Sequence, residues 1–299
     1  MELTRSSWGD SANAGLPAGD FVLILDGPDQ PGIVHAVSGF LFQRGGNIME
    51  SQQFGDQQAG RFFMRIDFEV DSPTSDEALR AAFAATAAEF EMDFELWSAS
   101  APYRTLIMVS KQLHCLNDLL FRHSTGDLQI DVVGVVSNHL DAEPLVKAHG
   151  LEFHHLPVTP DTKAEAEARL MALVDEHDVH LVVLARYMQI LSDQLCRRLS
   201  GRAINIHHSF LPSFKGAKPY HAAFERGVKL VGATAHYVTA DLDEGPIIEQ
   251  EMLRVDHSRA VSDLVALGQD VERRALARAV RWHAEHRVLL DGHRTIVFR

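Results

Sequence analysis

Residues 163–185, KAEAEARLMALVDEHDVHLVVLA, decide the fold of the longer part of this chain. Residues 163–176 predict a helix, and residues 181–185 form a short apolar run typical of a buried strand. The same alternation begins earlier, with predicted strands at residues 105–109 and 131–136. Strands that alternate with helices favour a doubly wound, mostly parallel sheet, which binds ligands at the carboxyl ends of its strands. We therefore expect an α/β domain.

The pattern continues toward the C-terminus. Further strands are predicted at residues 203–206, 231–238 and 246–253. A long helix over about residues 258–285 and a hairpin over residues 288–298, turning at Asp291-Gly292, complete the domain.

The first hundred residues follow a different pattern. Their predicted order is strand, helix, strand, strand, helix, strand, which is the split, ferredoxin-like βαββαβ arrangement. Gly45-Gly46 ends the first helix, because glycine tolerates the left-handed conformation past a helix end. The elements are a strand at residues 21–25, a helix through residues 33–41, a hairpin of residues 47–54 and 61–70, a helix after Ser72-Pro73, and a strand at residues 94–97.

The charge of the chain is unevenly divided. It carries 28 Lys+Arg and 41 Asp+Glu, a formal net charge of −13. Residues 1–100 hold 5 Arg, no Lys and 16 Asp+Glu, so their balance is −11, and the rest of the chain is close to neutral. An acidic chain without a basic stripe is unlike a nucleic-acid binder or a polybasic membrane anchor. We expect a terminal extension at residues 1–19, one domain at 20–98 and a second at 103–299, joined by the small residues and proline of 98–102.

The remaining composition points to a cytoplasmic protein. Two cysteines, Cys115 and Cys196, do not make a disulfide framework and suit a reducing compartment. No apolar run approaches the ~18 residues that a membrane span requires. The N-terminus lacks a basic start followed by an apolar run, so we expect no secretory signal.

A candidate site lies where a predicted strand ends. Asn205 and His207 are two residues apart, so in an extended chain their side chains point the same way. Asp243 follows in the carboxylate-rich turn of residues 241–246. An amide, an imidazole and a carboxylate together can polarise a carbonyl, move a proton and orient water. By spacing alone, the same residues can equally serve only to end a strand and stabilise a turn.

Three separate segments resemble the 10-formyltetrahydrofolate-dependent formyltransferase family: INIHHSFLPSFKG at residues 204–216, GATAH at 232–236 and LDEGPII at 242–248. The resemblance extends over roughly residues 103–285 and implies the Rossmann-like formyltransferase fold. It implies that Asn205, His207 and Asp243 are catalytic.

The N-terminal domain has a relative of its own. The segment DGPDQPGIV at residues 26–34 resembles the start of an ACT domain, a small amino-acid-sensing module. An ACT domain followed by a formyltransferase-like domain resembles the arrangement of the formyltetrahydrofolate deformylase family, and the segment SKQLHCLNDLL at 110–120 is similar to that family's signature. This implies a homo-oligomer and an amino-acid effector, with methionine and glycine as candidates. The implied effector residues are Asp29, Gln30, Pro31, Gly32 and Ile33.

The folate contacts are implied by the same resemblance. Residues 184–192 resemble the segment whose backbone reads the pterin edge, and His236 is expected to point into the site, although a core position is equally consistent. The implied substrate-binding residues are Gln189, Leu191, His236, Ala240, Asp241 and Leu242. Roles for His208, Lys111 and Cys115 stay open, with His208 expected to face away from His207. The histidines, including His154-His155, lack the clustered spacing of a zinc site, so we expect no metal and no cofactor.

The expected reaction is the hydrolysis of 10-formyltetrahydrofolate to formate and tetrahydrofolate, which balances the one-carbon pool for purine synthesis. Two alternatives remain: formyl transfer to an amine acceptor, and a non-catalytic sensor of folate and an amino acid. A phosphorylated amine requires a phosphate cradle, usually glycine-rich, where the first strand meets its helix. Residues 110–120 contain no glycine, which favours water as the acceptor.

Overall fold

The computed structural model of this 299-residue chain describes residues 19–71, 74–211 and 219–299. The chain divides into two compact units between Ala101 and Pro102. Three predicted features lie outside the described residues: the extension before Gly19, the Ser72-Pro73 helix start, and the motif loop of residues 212–216.

The first unit is the predicted βαββαβ arrangement. Its sheet has the order β2-β3-β1-β4, and its registered pairs are antiparallel. The apolar stripes of both helices pack on one face of the sheet and form the core of the unit. The elements are β1 (Gly19–Pro28), α1 (Ile33–Gln43), β2 (Gly46–Asp56), β3 (Arg61–Val70), α2 (Asp76–Glu89) and β4 (Asp93–Ser98).

The second unit is the predicted doubly wound sheet. Its strand order is β11-β10-β9-β8-β5-β6-β7, with the five strands from β9 to β7 parallel. Its elements are β5 (Arg104–Val109), α3 (His114–Ser124), β6 (Asp131–Ser137), α4 (Glu143–Ala148), β7 (Phe153–His155), α5 (Lys163–Glu176), β8 (Leu181–Leu184), α6 (Asp193–Arg198), β9 (Ala203–His207), α7 (Pro219–Arg226), β10 (Leu230–Tyr237), β11 (Ile247–Arg254), α8 (Val261–Ala284), β12 (Val288–Asp291) and β13 (Arg294–Val297).

Two features of this sheet were not visible in the sequence. The three-residue strand β7 is too short to give a periodic signal. Strands β10 and β11 run antiparallel to their neighbours, and strand direction depends on how the connecting segments cross rather than on side-chain pattern. The antiparallel pairing places His236 opposite Asn205 and Thr234 opposite His207.

Helix α8 is tied to the sheet by a buried histidine. Burial lowers the pKa of His283 to about 4, so its ring is neutral. Its Nε2 lies 2.9 Å from the Tyr103 hydroxyl and its Nδ1 2.7 Å from the Tyr237 hydroxyl. No helix in the described ranges combines the length and apolarity that crossing a bilayer requires.

The turn between β10 and β11 depends on a close backbone approach. The Tyr237 amide donates to the Pro246 carbonyl oxygen at 2.9 Å, and a Cβ atom at Gly245 would overlap the Tyr237 carbonyl oxygen. Asp243, in the middle of this turn, has the left-handed φ of 58°. The position of the Asp243 carboxylate is therefore fixed by a turn that accepts only glycine at residue 245.

We expect Gly245→Ala to lower the free energy of unfolding by about 1–3 kcal/mol, because the added methyl group forces the backbone apart. Chemical denaturation measures the change. Gly39→Ala is the control, because Gly39 lies in α1 with ordinary φ and no atom within 4 Å of the new Cβ. That control should be neutral or slightly stabilising. Equal stability of Gly245→Ala and the unaltered chain would contradict the steric account of the turn.

Candidate active site

Asn205, His207 and Asp243 come together at the carboxyl end of β9. Strand alternation places Asn205 and His207 on one face, and the Gly245 turn returns Asp243 to them. His207 Nδ1 lies 3.2 Å from Asp243 Oδ1, and both side chains are largely buried. The hydrogen bond from His207 holds the pKa of Asp243 below its usual value, so the carboxylate is charged.

The two ring nitrogens of His207 differ in their partners. Nδ1 donates to Asp243, and Nε2 is buried with no hydrogen-bond partner among the residues that the structure describes. A buried polar atom without a partner costs free energy unless a ligand or water satisfies it. His207 is also one of the residues that line a cavity.

His236 orients the amide of Asn205. Burial lowers the pKa of His236, and its Nδ1 donates to the Tyr237 carbonyl oxygen at 2.9 Å. The neutral ring therefore carries a lone pair on Nε2, which accepts from Asn205 Nδ2 at 3.2 Å. Asp243 Oδ1 is 3.8 Å away, too far for a hydrogen bond, and a neutral ring forms no ion pair with it.

These side chains open into a cavity of about 440 Å³. Five of the six predicted substrate-binding residues line it: Gln189, Leu191, His236, Ala240 and Leu242. Asp241 is not among the lining residues; it is exposed, and its carbonyl oxygen accepts from the Thr239 hydroxyl. His208 also lines the cavity, with its ring 5.1 Å from that of His207. The expectation that it faces away was wrong, because β9 ends at His207 and strand alternation stops there.

The cavity wall exposes apolar side chains. Met188 is 54% exposed, Ile190 63% and Leu242 59%. Clustered exposed apolar side chains around a cavity mark a ligand site more often than ordinary surface. The polar groups at the base and apolar groups at the wall suit a flat, partly aromatic ligand with a polar end.

A second polar cluster, which was not predicted from the sequence, is centred on Glu272 of α8. His114 Nε2 lies 2.7 Å from Glu272 Oε2, the Tyr220 hydroxyl donates to Oε1 at 2.7 Å, and Arg186 Nε lies 3.4 Å from Oε2. Burial by itself would raise the pKa of Glu272, but the bond from His114 and the charge of Arg186 lower it overall. One signal existed: Glu272 interrupts an otherwise apolar stripe of α8 formed by Val271, Ala275, Leu276 and Ala279.

Two groups of possible metal ligands also come together, which spacing did not predict. One is His114, Cys115 and Glu272, and the other is Glu152, His154 and His177. In the first group, Glu272 is already engaged by the Arg186 cation, which opposes a second cation. Burial raises the pKa of the Cys115 thiol, so that residue suits a core position better than a nucleophile.

The predicted effector residues lie at the start of α1. Gln30 Nε2 donates to the Phe90 carbonyl oxygen at 2.9 Å, and the Asp29 amide donates to Gly60. Gly32 has φ 101°, which favours glycine, Ile33 is buried in the core, and Pro31 lies in the intervening turn. Gln30 and Ile33 thus have structural roles, while Asp29 is exposed.

Comparisons with known proteins agree with this architecture. The formyl transferase family matches residues 103–280, and the ACT domain family matches residues 21–84. A formyltetrahydrofolate deformylase of Corynebacterium sp. (strain P-1) is 57% identical over 279 residues, covering 93% of this chain and 98% of that protein.

Similar solved structures are of two kinds, which differ in how much of this chain they cover. A formyltetrahydrofolate deformylase from Pseudomonas syringae pv. tomato str. DC3000 superposes with a TM-score of 0.91 at 46% identity, covering 96% of each chain. Glycinamide ribonucleotide transformylase 1 from Symbiobacterium toebii gives a TM-score of 0.62 at 30% identity, covering 69% of this chain and 98% of its own. Because the deformylase matches span both units, the chain belongs to the formyltetrahydrofolate deformylase family.

Proposed function

We propose that this protein hydrolyses 10-formyltetrahydrofolate to formate and tetrahydrofolate. Relatives at 38–57% identity over most of the chain are named for this activity. The observation that carries the proposal is the buried His207–Asp243 pair beside Asn205, at the base of a cavity large enough for a folate. No cofactor beyond the folate substrate enters the proposed reaction.

The reaction breaks the bond between the formyl carbon and N10 while a bond forms between that carbon and a water oxygen. As water attacks, negative charge develops on the formyl oxygen. The amide of Asn205 uses one N–H for His236 and has a second to donate to this oxygen. His207, when protonated at Nε2, donates there as well, and such donors contribute most where the charge develops.

Asp243 holds the attacking water. Its low pKa keeps the carboxylate charged, so one oxygen accepts from His207 while the other can accept a water proton. The water contributes its hydroxyl to the formyl carbon and a proton, passed through His207 and Asp243, to N10. Formate and tetrahydrofolate then leave, and the site returns to its starting state.

The cavity wall suits the folate ring system. Met188, Ile190 and Leu242 provide exposed apolar surface for a flat ring. The backbone near Gln189, Leu191 and Ala240 to Leu242 provides donors and acceptors for the pterin edge. We propose this assignment together with the catalytic one.

The corner between β5 and α3 supports water rather than an amine as acceptor. A phosphorylated amine needs several backbone N–H groups at such a corner. Here the Ser110 amide already donates to the Arg186 carbonyl oxygen at 3.1 Å, and residues 110–120 contain no glycine. That backbone N–H group is therefore not available to a phosphate.

The ACT domain supports regulation by an amino acid. We propose that methionine or glycine binds near Asp29 to Ile33 and that the enzyme is a cytoplasmic homo-oligomer. The formate it releases would serve the one-carbon pool for purine synthesis.

The purified chain should release formate from 10-formyltetrahydrofolate without any added amine. A coupled formate assay and the absorbance of tetrahydrofolate follow the two products. Formation of a formylated amine only when an amine such as glycinamide ribonucleotide is added would indicate a transferase. Binding of folate with neither product would indicate a sensor.

Replacing any of the three central residues should remove the activity. We expect Asn205→Ala to lower kcat by about 10²–10³ through loss of one donor, and His207→Ala or Asp243→Asn by at least about 10³. His293→Ala and Asp178→Asn are controls, because both residues are exposed. Near-normal kcat in a folded His207→Ala or Asp243→Asn variant would refute the assignment.

Methionine or glycine at millimolar concentration should change the rate of formate release or the melting temperature. Asp29→Ala should remove this response while leaving the rate without effector unchanged, because Asp29 belongs to the first unit. If neither amino acid changes either quantity, the proposed regulation is wrong.

A further inference from the structure

The loop that lines the cavity begins with a strained residue. Arg186, two residues after the end of β8, has φ 65°, a left-handed conformation that costs a non-glycine residue about 1 kcal/mol or more. Its backbone carbonyl oxygen accepts from the Ser110 amide at 3.1 Å. The next turn is fixed by the Met188 amide, which donates to the Ser110 hydroxyl at 2.9 Å.

The Arg186 side chain is anchored by two residues outside this loop, Gln112 and Glu272. It is 7% exposed, and its Nε and Nη2 donate to Gln112 Oε1 at 2.9 and 2.6 Å. Its charge is balanced by Glu272, which is 1% exposed. A buried guanidinium needs such a partner, because an unpaired buried charge is strongly unfavourable.

Glu272 is itself held firmly. His114 from α3 and Tyr220 from α7 both bind its carboxylate, and the Tyr220 ring packs so closely on α8 that a Cβ at Gly268 would overlap it. The Glu272 carboxylate is therefore held by side chains of α3 and α7, which do not belong to the loop.

The other end of the loop has a similar anchor. The Ser192 amide donates to Glu167 Oε1 at 2.8 Å, and the Ser192 hydroxyl donates to Glu167 Oε2. Between the two anchors, Met188 and Ile190 remain exposed at the cavity wall. The segment is thus restrained at its ends and open to a ligand in its middle.

We propose that Glu272 is a positioning residue for the folate: through Arg186 it sets the conformation of the loop of residues 186–191 that binds the pterin. This inference rests on the proposed function. Glu272 is not among the residues lining the cavity, and it acts on the backbone through Arg186. Because the pterin is bound equally in the ground state and the transition state, loss of Glu272 should weaken binding and leave the chemical step nearly unchanged.

The experiment compares Glu272→Gln with the unaltered chain. Glutamine keeps the size and one acceptor but removes the charge that balances Arg186. We expect about a tenfold or larger rise in KM for 10-formyltetrahydrofolate and in Kd for tetrahydrofolate, with kcat within about threefold. Calorimetry gives Kd, and initial rates of formate release give KM and kcat.

Two further variants make the test specific. Asp270→Asn removes the same charge from the same helix at a side chain that is 53% exposed, and it should change nothing. Arg186→Lys keeps the charge but loses the two-pronged contact with Gln112, and it should raise Kd in the same direction. If Glu272→Gln does not fold, Arg186→Lys decides the question.

The outcomes separate this inference from the proposed function. Unchanged KM and Kd in Glu272→Gln, or in Arg186→Lys if the first variant is unfolded, would overturn the role of Glu272. A kcat that falls with Kd unchanged would also overturn it. If the unaltered chain binds tetrahydrofolate but releases no formate, the proposed reaction fails, while the Kd comparison still tests Glu272.

Discussion

The second unit depends on one contact, the hydrogen bond between His207 Nδ1 and Asp243 Oδ1. It requires β9 to end at His207 and the β10–β11 turn to return Asp243 to the same place. That return relies on Gly245, whose backbone lies against the Tyr237 carbonyl group. The charged carboxylate accepts from Nδ1 and leaves Nε2 of His207 without a partner among the described residues.

The same unit contains two buried polar systems with different charge states, one at His236 and one at Glu272. His236 is neutral because burial lowers its pKa, and it holds the Asn205 amide by a lone pair. Glu272 is charged despite burial because Arg186 and His114 compensate it. The neutral His236 ring orients the Asn205 amide without attracting the Asp243 carboxylate beside it. The charged Glu272 instead holds the strained Arg186 in place by balancing its charge.

The distribution of charge bears on substrate access. The chain has a formal charge of −13, but residues 1–100 account for −11 of it. The sequence that contains Asn205, His207 and Asp243 has 23 basic and 25 acidic side chains, so it carries little net charge. An anionic folate therefore meets no strong general repulsion from the unit that holds the cavity.

The sequence by itself determined the fold of both units, and its resemblance to a known family singled out Asn205, His207 and Asp243. The helical period of 3.6 residues shows in long segments such as α5. The strand period of two places the side chains of Asn205 and His207 on one face of β9. Only the tertiary structure decided the direction of β10, the side on which His208 lies, and the partners of Glu272. The direction of β10 and the partners of Glu272 depend on contacts between residues about 30 to 160 positions apart, such as His114 and Glu272, which no local pattern encodes. The side of His208 depends on the exact residue at which β9 ends.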